Sequence, residues 1–418
     1  MNDALIYAAS HEARVAFVAE LAARLHNYGT SAQRLEGAID AVSGRLGLDC
    51  QAWSNPTGLI LSFSDPNHAE QQGIVRVIRL EPGEINLGRL AAADAIAEDV
   101  MAGRRDVASG HQALLALDRP GSVRGQVLTA FSFGLSAASV AGLLRTGWVD
   151  IATAAIIGWI IGILHVLGGK RPHLNEAMEP LSALIATFLA AMTATFIAPL
   201  SLKTVIVAAL IVLMPGLTLT TAVTELSSKQ LVSGTARFAG ALMTLMSLTF
   251  GTVVAMQSVK LLGWQPHVAR GAPLPEWVEL GALLVASYAF AVLFKASKRD
   301  YALVMAAVWL GWGLTQLGDW VFSRADDEFA GGVFFAGLGV ALAANAYARW
   351  FNRPGALIRV PGIILMVPGS VGFRSLSLVM QRDVMLGLNT GTALLSALIA
   401  LVAGLLFGNL IMPSRRNL

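Results

Sequence analysis

Residues 205–225 read VIVAALIVLMPGLTLTTAVTE, and Pro215-Gly216 interrupts this otherwise apolar run. A second apolar run ends in the same way, because residues 363–377 read IILMVPGSVGFRSLS and contain Pro368-Gly369. Proline removes a backbone donor and clashes with the preceding helical turn, and glycine tolerates the bend that follows. Two broken helices in matching places of a membrane protein are typical of a transporter with its binding site at the break.

The composition indicates that the chain lies in a membrane. Of its 418 residues, 55% are hydrophobic and 14% are charged, and the mean hydropathy is +0.62. Soluble domains carry about 25% charged residues, so a single water-soluble core cannot use this much apolar sequence. Because a bilayer offers no water to backbone polar groups, we expect the apolar segments to be helices.

Ten segments after residue 120 have the length needed to cross roughly 30 Å of hydrocarbon. They are expected at residues 127–144, 149–167, 181–199, 202–224, 235–259, 277–294, 301–318, 331–347, 358–379 and 391–411. Pro215 lies in the fourth segment and Pro368 in the ninth, 153 positions later. We therefore expect two repeats of five helices, and the odd number inverts the second repeat relative to the first.

The first part of the chain, residues 1–120, is expected to be a small α+β domain in the cytoplasm that acts as a gate or docking module. Two segments with apolar residues at helical spacing are each ended by a glycine, and two later segments alternate apolar and polar residues as strands do. These four segments are 11–28, 32–46, 49–63 and 74–80. The two membrane repeats would then occupy residues 121–265 and 266–418.

The basic residues of the loops predict the orientation. With the N-terminus in the cytoplasm, about 12 loop bases lie inside and 6 lie outside, which agrees with the positive-inside rule. Both termini are therefore expected in the cytoplasm. A cleaved signal peptide is not expected, since no basic region followed by an apolar core opens the chain.

The helix starts after the two breaks are the candidate binding site. The first amide groups of a restarted helix lack helical partners and carry the positive end of the helix dipole, which attracts anions. Hydroxyl groups follow both breaks, and Arg374 can pair with a carboxylate through two hydrogen bonds. The predicted substrate-binding residues are Pro215, Gly216, Thr218, Thr221, Pro368, Gly369, Ser370 and Arg374.

Each of these features also has a purely structural interpretation. Proline kinks occur in membrane helices that bind nothing, threonine hydroxyls bond back to the preceding turn, and Arg374 could snorkel to the outer surface. Glu225 and Asp319, near span ends, are candidate proton carriers or simply solvated charges. Five polar residues in or near spans are expected to be hydrogen-bond partners between helices, and the alternative is that they contact a ligand. They are His165, Gln257, Asn345, Asn389 and Asn409.

The sequence argues against several other classes of protein. It has neither a Walker-type glycine loop nor a His-Glu-x-x-His motif, so ATP-driven export and zinc hydrolysis are not expected. No basic run is interleaved with aromatic residues, so nucleic acid is not an expected partner. Cys50 is the single cysteine, which excludes an intramolecular disulfide. We expect a protein that is not an enzyme and that needs no metal or cofactor.

Three parts of the chain carry a resemblance to a known family. They are residues 20–36 (ELAARLHNYGTSAQRLE), Met214-Pro215-Gly216 followed by Glu225-Leu226 and Ser233-Gly234, and Val367-Pro368-Gly369-Ser370 with Arg374 soon after. In these parts the chain resembles the threonine/serine exporter family of bacteria, and the resemblance covers nearly the whole chain. It implies export of small hydroxy amino acids across the bacterial inner membrane, driven by the proton gradient. Relatives with the two halves on separate polypeptides are linked with dicarboxylate export.

The sequence thus predicts a secondary active exporter that works by alternating access around spans four and nine. Its expected partners are a small amino acid or dicarboxylate, protons and the lipid bilayer. A dicarboxylate exporter, a passive channel or solute sensor, and a membrane-anchored hydrolase in the first 120 residues are the alternatives. The exact substrate, the coupling ion, the stoichiometry and assembly into a homo-oligomer are left open.

Overall fold

The structure is a computed structural model that describes residues 9–64, 73–118, 122–269, 274–322, 330–381 and 383–413. The described part of the N-terminal domain contains four helices and a three-stranded sheet. Its elements are α1 His11–Asn27, α2 Ala32–Arg45, β1 Asp49–Asn55, β2 Gly58–Ser64, β3 Ile74–Arg79, α3 Leu87–Met101 and α4 Val107–Ala116. The prediction of a small α+β domain is confirmed.

Local signals explain where these elements begin and end. Ser10 and Asp106 cap α1 and α4, since their side chains accept from the N–H groups of Ala13 and Ser109 at 3.2 and 2.6 Å. Gly29 follows α1 with φ +83°, a conformation that glycine adopts without steric cost. The strands pair antiparallel in the order β1-β2-β3, and helices pack on the buried side chains of β2.

The described residues from 122 onward form helices and the segments that connect them. The helices are α5 Val123–Leu143, α6 Trp148–Gly168, α7 Pro172–Glu176, α8 Met178–Phe196, α9 Leu202–Leu210, α10 Gly216–Ser227, α11 Leu231–Leu261, α12 Glu276–Leu293, α13 Tyr301–Phe322, α14 Gly331–Phe351, α15 Ala356–Ile363, α16 Gly369–Met380 and α17 Val384–Ile411. Within the described ranges, eight helices are long and apolar enough to cross a membrane, and α9 with α10 makes a ninth if the bent pair is one span. The chain is a polytopic α-helical membrane protein, as predicted.

The predicted ninth span differs from the other nine. Residues 358–379 form parts of two short helices, α15 and α16, with five residues between them. Together these helices do not count as one candidate span, so the observed number is one below the expected ten. The segment of α9 and α10 is also broken, but only residues 214 and 215 lie outside helical turns there, whereas five residues separate α15 from α16.

Small residues let the membrane helices pack closely. A Cβ added to Gly158 on α6 would lie 2.6 Å from the Cβ of Ala137 on α5, and one added to Gly162 would lie 2.5 Å from the carbonyl oxygen of Ala130. Large apolar side chains such as Phe250 are instead exposed on the outer surface. This distribution is typical of helices that bury small residues against each other and turn large ones to lipid.

The N-terminal domain packs on one end of the membrane helices. The N–H groups of Leu87 and Gly88 donate to the carbonyl oxygens of Phe294 and Lys295, just after α12, at 2.9 and 3.1 Å. We call this side the domain end. Helix α11 starts there and runs over 31 residues to the opposite side, which we call the far end.

Candidate functional site

The first break separates α9 from α10. A single 3-10 turn, Ile211–Leu213, follows α9, and α10 begins at Gly216. Pro215 has no N–H to donate to the preceding turn, so the helix cannot continue through it. Met214 takes an extended backbone with φ −71° and ψ 127°, and the helix axis bends by 59°.

The second break repeats this geometry. Helix α16 begins at Gly369, directly after Pro368. The backbone angles of Pro368 are φ −84° and ψ 36°, close to the φ −81° and ψ 43° of Pro215. The two Pro-Gly pairs therefore produce two helix starts of the same kind.

The two breaks cross each other inside the protein. Gly216 and Gly369 are both buried. A Cβ placed on Gly369 would lie 3.0 Å from the N and from the Cα of Gly216, and one on Gly216 would lie 3.1 Å from the N of Gly369. Only glycine allows two backbones to approach so closely. The structure thus brings Pro215-Gly216 and Pro368-Gly369 together, although they are 153 positions apart.

The helix starts at this crossing are polar. Within the described residues, no side chain caps the start of α10 or of α16. The N–H of Gly216 donates to the carbonyl oxygen of Met214 at 2.8 Å, and the other N–H groups of the two first turns present the positive ends of two helix dipoles. Thr218, Thr221 and Ser370 are half-buried, and their hydroxyl groups make no hydrogen bond within the described residues. In contrast, the hydroxyl of Thr220 donates to the carbonyl oxygen of Gly216 at 3.1 Å.

Arg374 lies away from the crossing. It is on the second turn of α16 and lines a cavity of about 800 Å³ between α9, α11 and α16. Leu202 at the start of α9 and Lys260 near the end of α11 also line this cavity, which places it at the far end. None of the Pro-Gly residues is in the lining, so Arg374 and the crossing are separate parts of the predicted site.

Glu225, near the last turn of α10, is only 1% exposed. Its carboxylate accepts from the N–H of Ala32 at 2.9 Å, from the hydroxyl of Ser233 at 2.8 Å and from Nε of Arg237 at 3.2 Å. Ala32 is the first residue of α2, and the side chain of the N-cap residue Ser31 makes no capping hydrogen bond within the described residues. A carboxylate of the membrane part therefore caps a helix of the N-terminal domain. The interpretation of Glu225 as a solvated charge was wrong, because folding buries it between two parts of the chain.

Two further charged residues of α2 are half-buried. Glu36 accepts from the side-chain amide of Gln230 and from the N–H of Ser54, and burial raises the pKa of its carboxyl group. Arg34 is half-buried without a hydrogen-bond or ion-pair partner in the described residues, and burial lowers its pKa to about 10. Glu36, through Gln230 just after α10, is thus a second carboxylate of the contact between α2 and the membrane part.

The other predicted polar residues lie apart from both breaks. Asp319 is exposed near the end of α13, at the far end, whereas Glu225 lies at the domain end. The side-chain amide of Asn345 donates to that of Asn409 at 2.9 Å, and Arg359 donates to the amide oxygen of Asn345 at 2.9 Å. These contacts join α14, α15 and α17, as expected of Asn345 and Asn409. The side chains of His165, Gln257 and Asn389, for which the same was expected, make no such hydrogen bond among the described residues. The described residues contain no group of three or more His, Cys, Asp or Glu that could hold a metal ion.

Comparison with known protein families identifies the family of this chain. A family model described as a threonine/serine exporter matches residues 16–259, which is more than half of the chain. A second model with the same description matches residues 280–411. The chain belongs to the threonine/serine exporter family. The resemblance in the sequence is confirmed, and both halves of this threonine/serine exporter family member are fused in one polypeptide.

The relatives are membrane proteins and uncharacterised proteins of fungi. The pheromone-regulated membrane protein 10 of Yarrowia lipolytica is 24% identical over 371 residues, which are 86% of this chain and 30% of the relative. Two uncharacterised Schizosaccharomyces pombe proteins are 27% and 22% identical over 61% and 94% of this chain. The chain spans about a third to a half of the length of these relatives. No solved structure matches the chain.

These comparisons support a membrane protein of a transporter family. The names of the relatives do not state a substrate or a coupling ion. Because the relatives are fungal, a bacterial inner membrane and cytoplasmic termini stay predictions, as do the predicted substrate-binding residues and the proton-carrying roles of Glu225 and Asp319.

Proposed function

We propose that this member of the threonine/serine exporter family is a secondary active exporter of small carboxylate-bearing solutes. The family description names threonine and serine, and a dicarboxylate is the alternative substrate. The observation that carries the proposal is the crossing of two uncapped helix starts at Gly216 and Gly369. Helix starts of this kind, inside a membrane protein, bind the carboxylate groups of solutes.

The mechanism is alternating access around the crossing. The backbones at Gly216 and Gly369 touch in the present arrangement, so a solute enters when α10 and α16 move apart. The solute carboxylate then binds the first-turn N–H groups, and Thr218, Thr221 and Ser370 supply hydroxyl groups beside them. Access alternates between the domain end and the far end as the two halves rock against each other.

A second similarity between the halves supports two inverted repeats at residues 121–265 and 266–418. The carboxylate of Asp150, in the first turn of α6, accepts from the N–H of Ser201 at 3.0 Å, just before α9. The carboxylate of Asp300, just before α13, accepts two hydrogen bonds from Arg353 at 2.7 and 2.9 Å, just before α15. In each half a buried acid holds the segment that leads into the broken helix.

Efflux from cells preloaded with labelled threonine, serine or succinate tests the function. Cells that make the protein are expected to export at least one of these solutes against its gradient, and a protonophore is expected to stop this export. A passive channel would instead equilibrate the solute and would not move it uphill. Efflux equal to that of cells without the protein, for all three solutes, would refute the exporter.

Changes at the breaks test the site. Pro215→Ala and Pro368→Ala restore a backbone donor, so each is expected to straighten its helix and to reduce export by at least about tenfold. Pro180→Ala is the matched control, because Pro180 lies in the first turn of α8, where proline breaks no helical hydrogen bond. Amounts of protein in the membrane should be equal in all three variants. Normal export by both break variants would show that the crossing is not the transport site.

A further inference from the structure

The sheet of the N-terminal domain has one covered face and one open face. The helices of the domain pack on the buried side chains of β2, and the alternate side chains of the three strands point to the opposite face, which we call the outer face. On the outer face, Trp53 of β1 and Val77 of β3 flank Ile60 of β2 in one cross-strand row, and Val75 lies in the next row. Trp53, Val75 and Val77 are 46%, 59% and 74% exposed. Contiguous apolar side chains in such a position mark an interaction surface.

Glu36 places the outer face beside the start of α11. Its carboxylate accepts from the N–H of Ser54, which follows Trp53 in the chain, and from the side-chain amide of Gln230, which precedes α11. Trp53 and Leu231, the first residue of α11, are therefore each one position away from a group that bonds to the same carboxylate. Leu231 is 62% exposed. The apolar surface of the sheet thus adjoins an apolar surface on α11.

The exposed side of α11 indicates what lies next to the outer face. Helix α11 is one of the candidate spans, and large exposed apolar side chains follow its length from its first residue onward. In a helix that crosses a membrane, such side chains contact lipid. The outer face of the sheet therefore continues a surface that contacts the bilayer. The exposed apolar residues in this part of α11 are Leu231, Val232, Phe238, Leu242, Met243, Met246 and Phe250.

The polar residues around the patch are arranged as at a membrane surface. Arg79 lies on the outer face in the row that follows Trp53, on the side of the sheet near α11, and Lys229 lies just before α11. Both are exposed. Asp49, the acid on this face among the described strand residues, lies at the opposite end of β1. Tryptophan prefers the interface between membrane and water, and basic residues beside it favour anionic headgroups.

We propose that the outer face of the sheet docks on the surface of the lipid bilayer. Its three exposed apolar side chains enter the headgroup region, and Arg79 and Lys229 lie beside phospholipid phosphates. The N-terminal domain is then held at two places, by the cap that Glu225 places on α2 and by lipid at the sheet. Docking of this kind is independent of the solute that the protein moves.

A second copy of the chain is a poorer occupant of the outer face. Three strands of six or seven residues present a face of roughly 350 Å². A stable dimer buries about 800 Å² on each partner. A lipid surface needs no such area, because each apolar side chain that enters it adds its own contribution.

A fluorescent label on the outer face tests the docking. The full-length Val77→Cys protein is labelled with a thiol-reactive dye and placed in nanodiscs of phosphatidylcholine, with and without phosphatidylglycerol. A part of the lipid carries a nitroxide on its headgroup, which quenches a dye that lies beside it. Cys50 is buried, and burial raises its pKa to about 11, so its thiol stays protonated and unlabelled at pH 7. The unchanged protein, treated with the same dye, checks this.

Ala108→Cys is the matched control, because Ala108 is exposed on α4, which packs on the covered side of the sheet. The nitroxide lipid is expected to quench the label at position 77 by at least about half and the label at position 108 by less than about a tenth. Phosphatidylglycerol should increase the quenching at position 77. Trp53→Gln, combined with Val77→Cys, should reduce this quenching several-fold, because it removes the largest apolar side chain of the patch.

Three results would overturn the docking. Equal quenching at positions 77 and 108 would show that the outer face does not touch lipid. Quenching at position 77 that Trp53→Gln leaves unchanged would show that the apolar patch does not hold the domain on the bilayer. Rapid disulfide linkage between two Val77→Cys proteins, with no quenching, would show that a second copy covers the face. These measurements need no transport, so the proposed exporter stands or falls separately.

Discussion

The two broken helices begin alike and end differently. Helices α10 and α16 both start after a Pro-Gly pair and both contain 12 residues. Near its end α10 carries Glu225, buried against the N-terminal domain. The position 153 residues later is Leu378, which lines the cavity at the far end together with Arg374. The same Pro-Gly break is thus followed by a helix that ends in a buried carboxylate at the domain end and by a helix that lines a cavity with cations at the far end.

This difference indicates that the two halves have different roles, with α10 anchored to the N-terminal domain and α16 facing the cavity. Helix α10 is held at its start by the crossing and near its end by α2 of the N-terminal domain, so it moves only with that domain or after losing the contact at Glu225. The side chain of Arg374 on α16 makes no such contact and faces a cavity. Changes at either start should therefore strain the same crossing, and changes toward the two ends should have unequal effects.

The largest effect is expected at the end of α10. Glu225→Ala leaves the guanidinium of Arg237, which is 14% exposed, without its carboxylate, and it removes the cap of α2. Breaking a buried ion pair costs about 3–5 kcal/mol, so the unfolding midpoint of the purified protein should fall strongly. Glu225→Gln keeps a hydrogen-bond acceptor and should cost less. Asp319→Asn, at an exposed acid, serves as the control and should change stability by less than about 0.5 kcal/mol.

A Glu225→Ala protein with an unchanged midpoint would show that the contact between α10 and the N-terminal domain contributes nothing to stability. The proposal that α10 is anchored to the N-terminal domain, in contrast to α16, would then be refuted.

An intermediate effect is expected at the crossing. Gly216→Ala and Gly369→Ala each place a methyl group against the opposite backbone, which should cost about 1–3 kcal/mol of unfolding free energy. The methyl group at position 216 also overlaps Cγ1 of Val367, so Gly216→Ala should cost at least as much as Gly369→Ala. Because both variants strain one contact, the double variant should cost less than the sum of the two. Gly313→Ala is the control, since a Cβ there would meet nothing within 4 Å. Thermal unfolding of these four variants and of the unchanged protein measures these costs, and a Gly369→Ala protein as stable as the Gly313→Ala control would contradict the close contact of the two starts.

The smallest effect on stability is expected at the cavity. Arg374 is exposed and forms no ion pair within the described ranges, so Arg374→Gln should change the unfolding free energy by less than about 0.5 kcal/mol. Its effect should appear in export alone, in contrast to Glu225→Ala. A loss of stability as large as that of the Glu225 variant would make Arg374 a structural residue and would remove the difference between the two ends.

Much of the fold was predictable because its signals are local. The apolar segments, the two Pro-Gly breaks and the glycines that end α1 and α2 all act within a few residues of themselves. The site was predictable only in part. The sequence indicated Arg374, but not Lys203 and Lys260 of the same cavity, because these lie on other helices and share no local pattern with it.

The sequence by itself determined that the chain enters a membrane and that two of its helices break at proline, because the missing N–H and the ring clash act within one helical turn. Only the tertiary structure decided what those breaks meet. The contact of Gly216 with Gly369, the cap that Glu225 places on Ala32 from 193 positions away, and the cations around one cavity all join distant segments. The physical reason is that burial and pairing of charges depend on the neighbours that helix packing brings together.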